Sequence, residues 1–252
     1  GTNLTNIRIL HGYTRKQLSE MLEITEQAVW QYENGYMSPK LEVINELKRI
    51  FKVKSKYFYS EDFLGENGKS NIQQCHIAYR AEIMNSAQKN QSEAKTIEFL
   101  SSFLSIIEKK LHYPPNEIVA LREKVIQYLT RSNEDRKLQI ERVASMAREF
   151  LEIGNKSNIN LLFLLEKKGM FVFEKAIGER IDAYSLWSED GRPFIMLGNL
   201  KKSAARRNFD LAHELGHLLL HYKVEFSSLD NKAHREHEQE ANLFAGAFLL
   251  PE

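Results

Sequence analysis

The sequence predicts a mostly α-helical protein with a small antiparallel β-sheet, which is the α+β class. Short amphipathic patterns separated by tight turns fill the first part of the chain, as in a five-helix domain. Strand patterns occur only near the C-terminus, just before the pattern His-Glu-x-x-His at His213–His217 on a helical stretch. We place the domain boundaries at 1–66, at 67–132 for a linker and helical middle region, and at 133–252.

The composition is that of an ordinary globular chain, with 42% hydrophobic and 27% charged residues among 252. The net charge of +1 does not by itself indicate nucleic acid, so any DNA contact needs a local patch. The single cysteine, Cys75, excludes an internal disulfide framework and suits a reducing cytoplasm. No signal peptide and no apolar run long enough for a transmembrane span is present. We therefore expect a cytoplasmic protein without a membrane partner.

Each of the five N-terminal helical patterns has its own boundary signals. Gly12 suits the C-terminal cap of the first helix, whereas Thr14 and Thr25 suit the N-terminal caps of the second and third. Ser38-Pro39 opens the fourth helix. The predicted spans of the other four are 4–10, 15–22, 26–33 and 55–59. Short helices joined in this way favour a helix-turn-helix domain.

Four pieces of this region resemble the phage-repressor-like, XRE/Cro-type family of helix-turn-helix domains. They are Leu4-x-x-Ile7-Arg8, Thr14-Arg15-Lys16-Gln17-Leu18-Ser19, Ile24-Thr25-Glu26-Gln27-Ala28-Val29 and Tyr32-Glu33-Asn34-Gly35. The resemblance implies a double-stranded DNA operator as partner, a homodimer, and a third helix in the major groove. It places Glu26, Gln27 and Gln31 at base-reading positions. The side chains expected to hold phosphates are Gln17, Arg15, Lys16 and Lys40.

The middle region is predicted to be a polar linker followed by long helices. Residues 65–70 have the composition of a linker. Helical periodicity then covers 77–107, 116–129 and 134–153. Because no motif there carries chemistry, we expect a helical spacer or a dimerisation element.

The C-terminal part is predicted to place a small sheet before the motif helix. A helix at 159–168 precedes strands at 170–174, 181–188 and 193–198. A turn at 188–191 makes the last two strands an antiparallel hairpin. We expect the last strand to be a sheet edge that can pair with an extended peptide.

The His-Glu-x-x-His pattern favours a metal site. On a helix, His213 and His217 lie one turn apart and face the same way, so both imidazoles can bind one ion. Glu214 is offset by about 100° and can take a proton from a water without being a ligand. Two histidines leave a zinc site one protein ligand short. Leu220 and Lys223 exclude the class that adds Gly and His at those positions.

A helical pattern at 237–248 can supply the third ligand. Glu238 is preferred, because the small Ala241 lets the two helices approach and Asn242 can hydrogen-bond a ligating imidazole. Glu240 points about 200° away and is expected to face outward. The rival ligands are other histidines, first His221 and then His234 and His237.

The residues around the motif resemble the ImmA/IrrE family of metallopeptidases. The matching pieces are Arg206-Arg207-x-Phe209-x-x-Ala212-His213-Glu214-Leu215-Gly216-His217-Leu218-Leu219-Leu220-His221, Glu238-x-x-Ala241-Asn242-x-Phe244-Ala245, Leu249-Leu250-Pro251 and Glu166-Lys167-Lys168-Gly169. The resemblance covers about 134–252 and implies a gluzincin-like zinc site. In that site His213, His217 and Glu238 are ligands and Glu214 is the general base. For the oxyanion-stabilising residue, the sequence offers only Tyr184, Tyr222 and His234 as candidates.

The resemblances together predict a DNA-binding transcription regulator that carries a zinc endopeptidase domain. Known relatives cleave a helix-turn-helix repressor, so the expected substrate is a repressor, an antitoxin or the protein itself. Two alternatives stay open. One is a transcription factor whose peptidase-like domain binds zinc or a ligand without cutting. The other is an effector of a toxin–antitoxin or phage-defence module.

Overall fold

The computed structural model describes residues 1–60, 64, 78–79, 87–112, 115–154, 157–175, 183–198, 203–222 and 224–251. The predicted α+β class with dominant helices is confirmed. The chain divides into two compact units, Gly1–Gln74 with Met84–His112 and Cys75–Ile83 with Tyr113–Glu252. The predicted linker at 65–70 and Cys75 lie outside the described residues. Among the described helices, none is long and apolar enough to cross a membrane.

The N-terminal unit begins with five short helices, as the capping signals predict. They are α1 (Thr2–Leu10), α2 (Arg15–Met21), α3 (Glu26–Glu33), α4 (Leu41–Phe51) and α5 (Lys56–Tyr59). Thr14 forms a capping box with Gln17, and the Thr25 hydroxyl accepts a hydrogen bond from the backbone of Ala28. These two caps fix where the second and third helices of the predicted motif begin.

An ion network centred on the buried Glu33 joins the first three helices. The carboxylate of Glu33 on α3 is bound by Arg8 at 2.5 Å and by Arg15 at 2.5 Å. Beneath it, Leu18, Val29 and Leu47 are fully buried. A sixth helix, α6 (Ala87–Glu108), packs on α1, where the Ser92 hydroxyl donates to the Leu10 carbonyl at 2.8 Å. The apolar core and the network hold the first three helices together.

The C-terminal unit contains five further α-helices. They are α7 (Ile118–Arg131), α8 (Arg136–Phe150), α9 (Leu161–Lys167), α10 (Ala204–Leu220) and α11 (Asn231–Leu249), with a 3-10 turn at Phe226–Ser228. Although α7 falls in the predicted spacer, its Ile118, Leu121 and Val125 lie in one core with α10. Helix α11 starts earlier than its apolar pattern indicated, because Asp230 caps it through the backbone of Lys232.

The sheet differs from the prediction in two respects. Its strands are β1 (Ala78–Tyr79), β2 (Phe171–Lys175), β3 (Ala183–Trp187) and β4 (Pro193–Gly198), in the order β1-β3-β4-β2. Strands β3 and β4 form the predicted hairpin, but β2 runs parallel to β4, so the sheet is mixed. The expectation that β4 is an edge strand is wrong, because β2 pairs with its other side. Residues 78–79 were predicted to be helical, yet they pair with β3 as a strand.

A glycine allows α10 and α11 to pack closely. A Cβ atom on Gly216 would lie 3.0 Å from Cδ1 of Phe244, so a side chain there would crowd the Phe244 ring. Ala241 and Phe244 are fully buried against this face. The close approach brings the side chains of the motif helix within reach of α11.

Candidate metal centre

Three side chains from α10 and α11 converge on one point. The Nε2 atoms of His213 and His217 are 3.1 Å apart. The two carboxylate oxygens of Glu238 lie 3.4 Å from His213 Nε2 and 3.2 Å from His217 Nε2. Together the ligating atoms lie within 4.8 Å of one another. The structure therefore brings together the three residues that the sequence singles out as metal ligands.

The separations of these atoms fit a tetrahedral zinc site. With Zn–N and Zn–O distances of about 2.0–2.1 Å, neighbouring ligand atoms lie about 3.3 Å apart. The donor set of two imidazole nitrogens and one carboxylate oxygen is also one that zinc accepts. Moreover, two neutral imidazoles whose lone pairs face each other at 3.1 Å repel unless a cation lies between them. The residues present thus fit a zinc ion held by His213, His217 and Glu238.

Each histidine of the cluster has a partner on its other ring nitrogen. His213 Nδ1 lies 3.0 Å from Oδ1 of Asn242, the contact expected from the sequence. A carbonyl oxygen only accepts, so Nδ1 carries the proton and Nε2 keeps its lone pair. His217 Nδ1 lies 3.0 Å from Nδ1 of His221. Both rings are thereby held with Nε2 toward Glu238.

Glu240 does not face outward as expected from its helical angle. Its carboxylate binds the guanidinium of Arg136, with Nε–Oε1 at 2.7 Å and Nη2–Oε2 at 2.6 Å. It also lies 2.9 Å from Nε2 of His221. The expectation was wrong because it considered only α10 and α11, whereas α8 supplies a cation that binds Glu240. Arg136 is a residue that no local sequence pattern marks, since it is 104 positions from Glu240 along the chain.

Burial sets the charge of the groups in the centre. His217 is 3% exposed, and burial lowers its pKa to about 3, which keeps the ring neutral at pH 7. For Glu238, burial raises the pKa, but the neighbouring His213 and His217 rings outweigh burial and hold the pKa below its usual value. A neutral imidazole and an ionised carboxylate are the forms that bind a metal.

The rival ligands lie elsewhere around the cluster. His221 contacts the Nδ1 side of His217, which is the side away from Glu238. His237 stacks on the edge of His221 at 4.5 Å between ring centroids, and His234 contacts Phe226 at 6.4 Å. Phe226 itself packs edge-on against His217 at 5.6 Å. Of the described histidines, only His213 and His217 share a metal-binding cluster with a carboxylate.

The expected general base, Glu214, and the oxyanion candidates occupy different settings. Glu214 is fully buried on α10, between the two histidines in sequence. Tyr184 is fully buried on β3. The guanidinium carbon of Arg122 lies 4.3 Å from the centre of the Tyr222 ring and 4.4 Å from the centre of the Trp187 ring. Both tyrosines are held in packed surroundings.

The predicted DNA-contacting residues lie on α2 and α3, except for Lys40, which directly precedes α4. Glu26 and Gln27 are exposed on the first turn of α3, and Gln31 is half-buried one turn later. Lys16 and Lys40 are exposed as well. Arg15 also forms its bond to Glu33, and the Gln17 amide oxygen accepts from Thr14 and from Gln88. Trp30, exposed on α3, stacks on Tyr36 with ring centroids 5.1 Å apart.

Each of the two units contains a segment that matches the model of a known family. Residues 165–252 match the model of a peptidase family described as "IrrE N-terminal-like domain". Residues 4–58 match the model described as "Helix-turn-helix". The chain joins a helix-turn-helix domain to an IrrE N-terminal-like domain. This confirms the fusion predicted from the sequence. No curated protein and no solved structure matches the chain.

The two matches account for the elements that carry the predicted chemistry. The IrrE N-terminal-like match begins within α9 and includes β2, β3, β4, α10 and α11. It therefore contains the cluster of His213, His217 and Glu238. The helix-turn-helix match includes α1 to α4 and most of α5. The fusion makes the protein a DNA-binding regulator with a peptidase-like domain.

Proposed function

We propose that this regulator cleaves a protein substrate, a repressor or an antitoxin, with a zinc-dependent endopeptidase site in its IrrE N-terminal-like domain. The observation that carries the proposal is the convergence of His213, His217 and Glu238 at spacings suited to zinc. Glu214 stands between the two histidines on the same helix. A domain that only bound zinc for structural stability would have no use for a general base at that position.

The roles of the chain's residues follow from this geometry. A zinc ion bound there supplies a Lewis acid that polarises the scissile carbonyl and lowers the pKa of water. Glu214 accepts the proton of the attacking water and delivers it to the leaving amine. Asn242 holds the His213 ring through Nδ1. Burial of His213 and Glu214, both fully buried, keeps bulk water from competing for these groups.

We further propose that the protein binds a double-stranded DNA operator as a homodimer in the cytoplasm. The helix-turn-helix match supports the DNA-binding part of this proposal. Gln27 and Glu26 are exposed at the N-terminal end of α3, where a recognition helix contacts base edges. Gln can bind adenine through two hydrogen bonds and Glu can accept from cytosine. Lys16 and Lys40, both exposed, are the proposed phosphate contacts.

Replacing Gln27 by alanine is expected to reduce specific DNA binding. Loss of a two-bond contact to a base costs about 1–3 kcal/mol in discrimination, whereas Lys16→Ala weakens binding to all sequences and lowers the salt dependence. The measurement is the affinity of each variant for the protein's operator DNA and for unrelated DNA, determined by titration at several salt concentrations. Asn45→Ala, at an exposed position on α4, is the control and is expected to change neither. Equal losses on both DNAs for Gln27→Ala would argue against base reading.

The test of the peptidase proposal combines metal analysis with a cleavage assay. We expect the purified chain to bind one zinc ion and to cleave a repressor or antitoxin encoded beside its own gene. Removal of zinc by a chelator is expected to stop cleavage, and added zinc to restore it. A chain that binds zinc fully but leaves every neighbouring repressor and antitoxin intact would instead be a regulator that does not cut.

A further inference from the structure

A chain of polar side chains extends from the candidate metal centre to the surface of the C-terminal unit. His217 contacts His221 through their Nδ1 atoms at 3.0 Å. His221 Nε2 lies 2.9 Å from Glu240, and Glu240 is bound by both nitrogens of the Arg136 fork. The chain links three helices, since His221 follows α10, Glu240 lies on α11 and Arg136 begins α8.

The direction of each hydrogen bond in this series follows from Arg136, the residue at its outer end. Arg136 can only donate, and an ionised carboxylate such as Glu240 can only accept. His221 must therefore donate from Nε2 to Glu240. A neutral imidazole has one N–H, so Nδ1 of His221 is an acceptor. His217 then donates from Nδ1, which leaves the lone pair on His217 Nε2, the atom 3.2 Å from Glu238.

We infer that His221 is a positioning residue that fixes His217 as an Nε2 metal ligand, with Glu240 and Arg136 fixing His221 in turn. This inference rests on the proposed metal site but not on cleavage. Burial favours this arrangement, because His221 is 4% exposed and Phe226 and His237 cover its ring. Water therefore does not readily replace the contact between His217 and His221. The two ligand histidines are thus supported differently, His213 by a neutral amide and His217 by an imidazole backed by an ion pair.

This series of hydrogen bonds gives His221 a role distinct from that of a third metal ligand. Its Nδ1 faces the protonated side of His217, whereas the metal site lies on the Nε2 side. A residue in this place strengthens the basicity of the ligand and limits rotation of its ring. Loss of such an outer partner typically reduces metal affinity about 10- to 100-fold.

The test compares His221→Phe with His221→Gln in the full chain. Phenylalanine fills the space but cannot accept from His217, so zinc affinity measured by chelator competition is expected to fall about 10- to 100-fold. Glutamine offers both an acceptor and a donor and is expected to restore most of the affinity. Glu240→Ala is expected to give a smaller loss than His221→Phe, because His221 itself remains. Glu236→Gln, an exposed carboxylate on α11, is the control and is expected to bind zinc normally.

A spectroscopic measurement separates positioning from a general loss of fold. In the zinc-loaded chain, long-range ¹H–¹⁵N correlation spectra are expected to show His217 protonated at Nδ1 and metal-bound at Nε2. Wild-type zinc affinity in His221→Phe, or a metal-bound Nδ1 on His217, would overturn the inference. If His221→Phe and Glu240→Ala lose zinc affinity as expected but the wild type cleaves no substrate, the inference about His221 stands and only the proposed peptidase function fails. If His221→Phe does not fold, His221→Gln and the spectra of the wild type decide.

Discussion

Replacing Glu214 by glutamine is expected to abolish cleavage while leaving the zinc content unchanged. The amide keeps the size of the side chain but cannot take a proton from water. General acid–base catalysis by such a group contributes about 10²- to 10⁴-fold, so the cleavage rate of the cognate substrate is expected to fall by that factor. The measurement is the initial rate of substrate cleavage at saturating zinc, together with the zinc-to-protein ratio.

The matched control for this variant is Glu236→Gln, which makes the same chemical change at an exposed site on α11. It is expected to cleave at the wild-type rate. Cleavage by Glu214→Gln at the wild-type rate would exclude Glu214 as the general base. Loss of zinc along with cleavage would instead give Glu214 a structural or ligand role.

Replacing Glu238 by alanine is expected to weaken zinc binding more than any change at His221. Glu238 is the only carboxylate in the cluster, so its loss removes a ligand and leaves two imidazoles without a compensating negative charge. We expect a fall in affinity of more than about 100-fold, beyond the range typical of outer partners. Chelator competition measures it, and zinc-dependent thermal stabilisation should fall with it.

Glu236→Ala is the corresponding control, since it removes an exposed carboxylate two positions away on the same helix. Its zinc affinity is expected to match that of the wild type. Zinc bound by Glu238→Ala as tightly as by wild type would exclude Glu238 as a ligand and return His221 to consideration. Only the carboxylate that lies against both imidazoles is expected to matter in this way.

Much of the fold was predictable, because its signals are local. Thr14, Thr25 and Ser203 cap helices where the sequence indicated, and the hairpin of β3 and β4 follows from one turn. The convergence of His213 and His217 is likewise a property of helix periodicity. Such features depend on residues within a few positions of each other, so a single sequence suffices.

The features that escaped prediction depend on distant parts of the chain. Arg136 and Glu240 meet only because α8 packs on α11, and helical angles on α10 and α11 alone placed Glu240 in solvent. The parallel pairing of β2 with β4 is set by packing across the sheet rather than by any turn. Residues 78–79 lie in a helical sequence pattern but form a strand, because they pair with the edge of β3 that β4 leaves open.

The pairing of β1 with β3 places any peptide that would pair with β3 in competition with the chain itself. Ala78 lies opposite Ser185, whose hydroxyl contacts the backbone carbonyl of Glu214 at 3.3 Å. An extended peptide that uses this edge must first displace residues 78–79. Because these belong to the same molecule, their local concentration is on the order of millimolar. Residues 78–79 therefore raise the apparent Kd of a free peptide for this edge of β3. Because they already pair with β3, they also hinder edge-to-edge association between two copies of the protein.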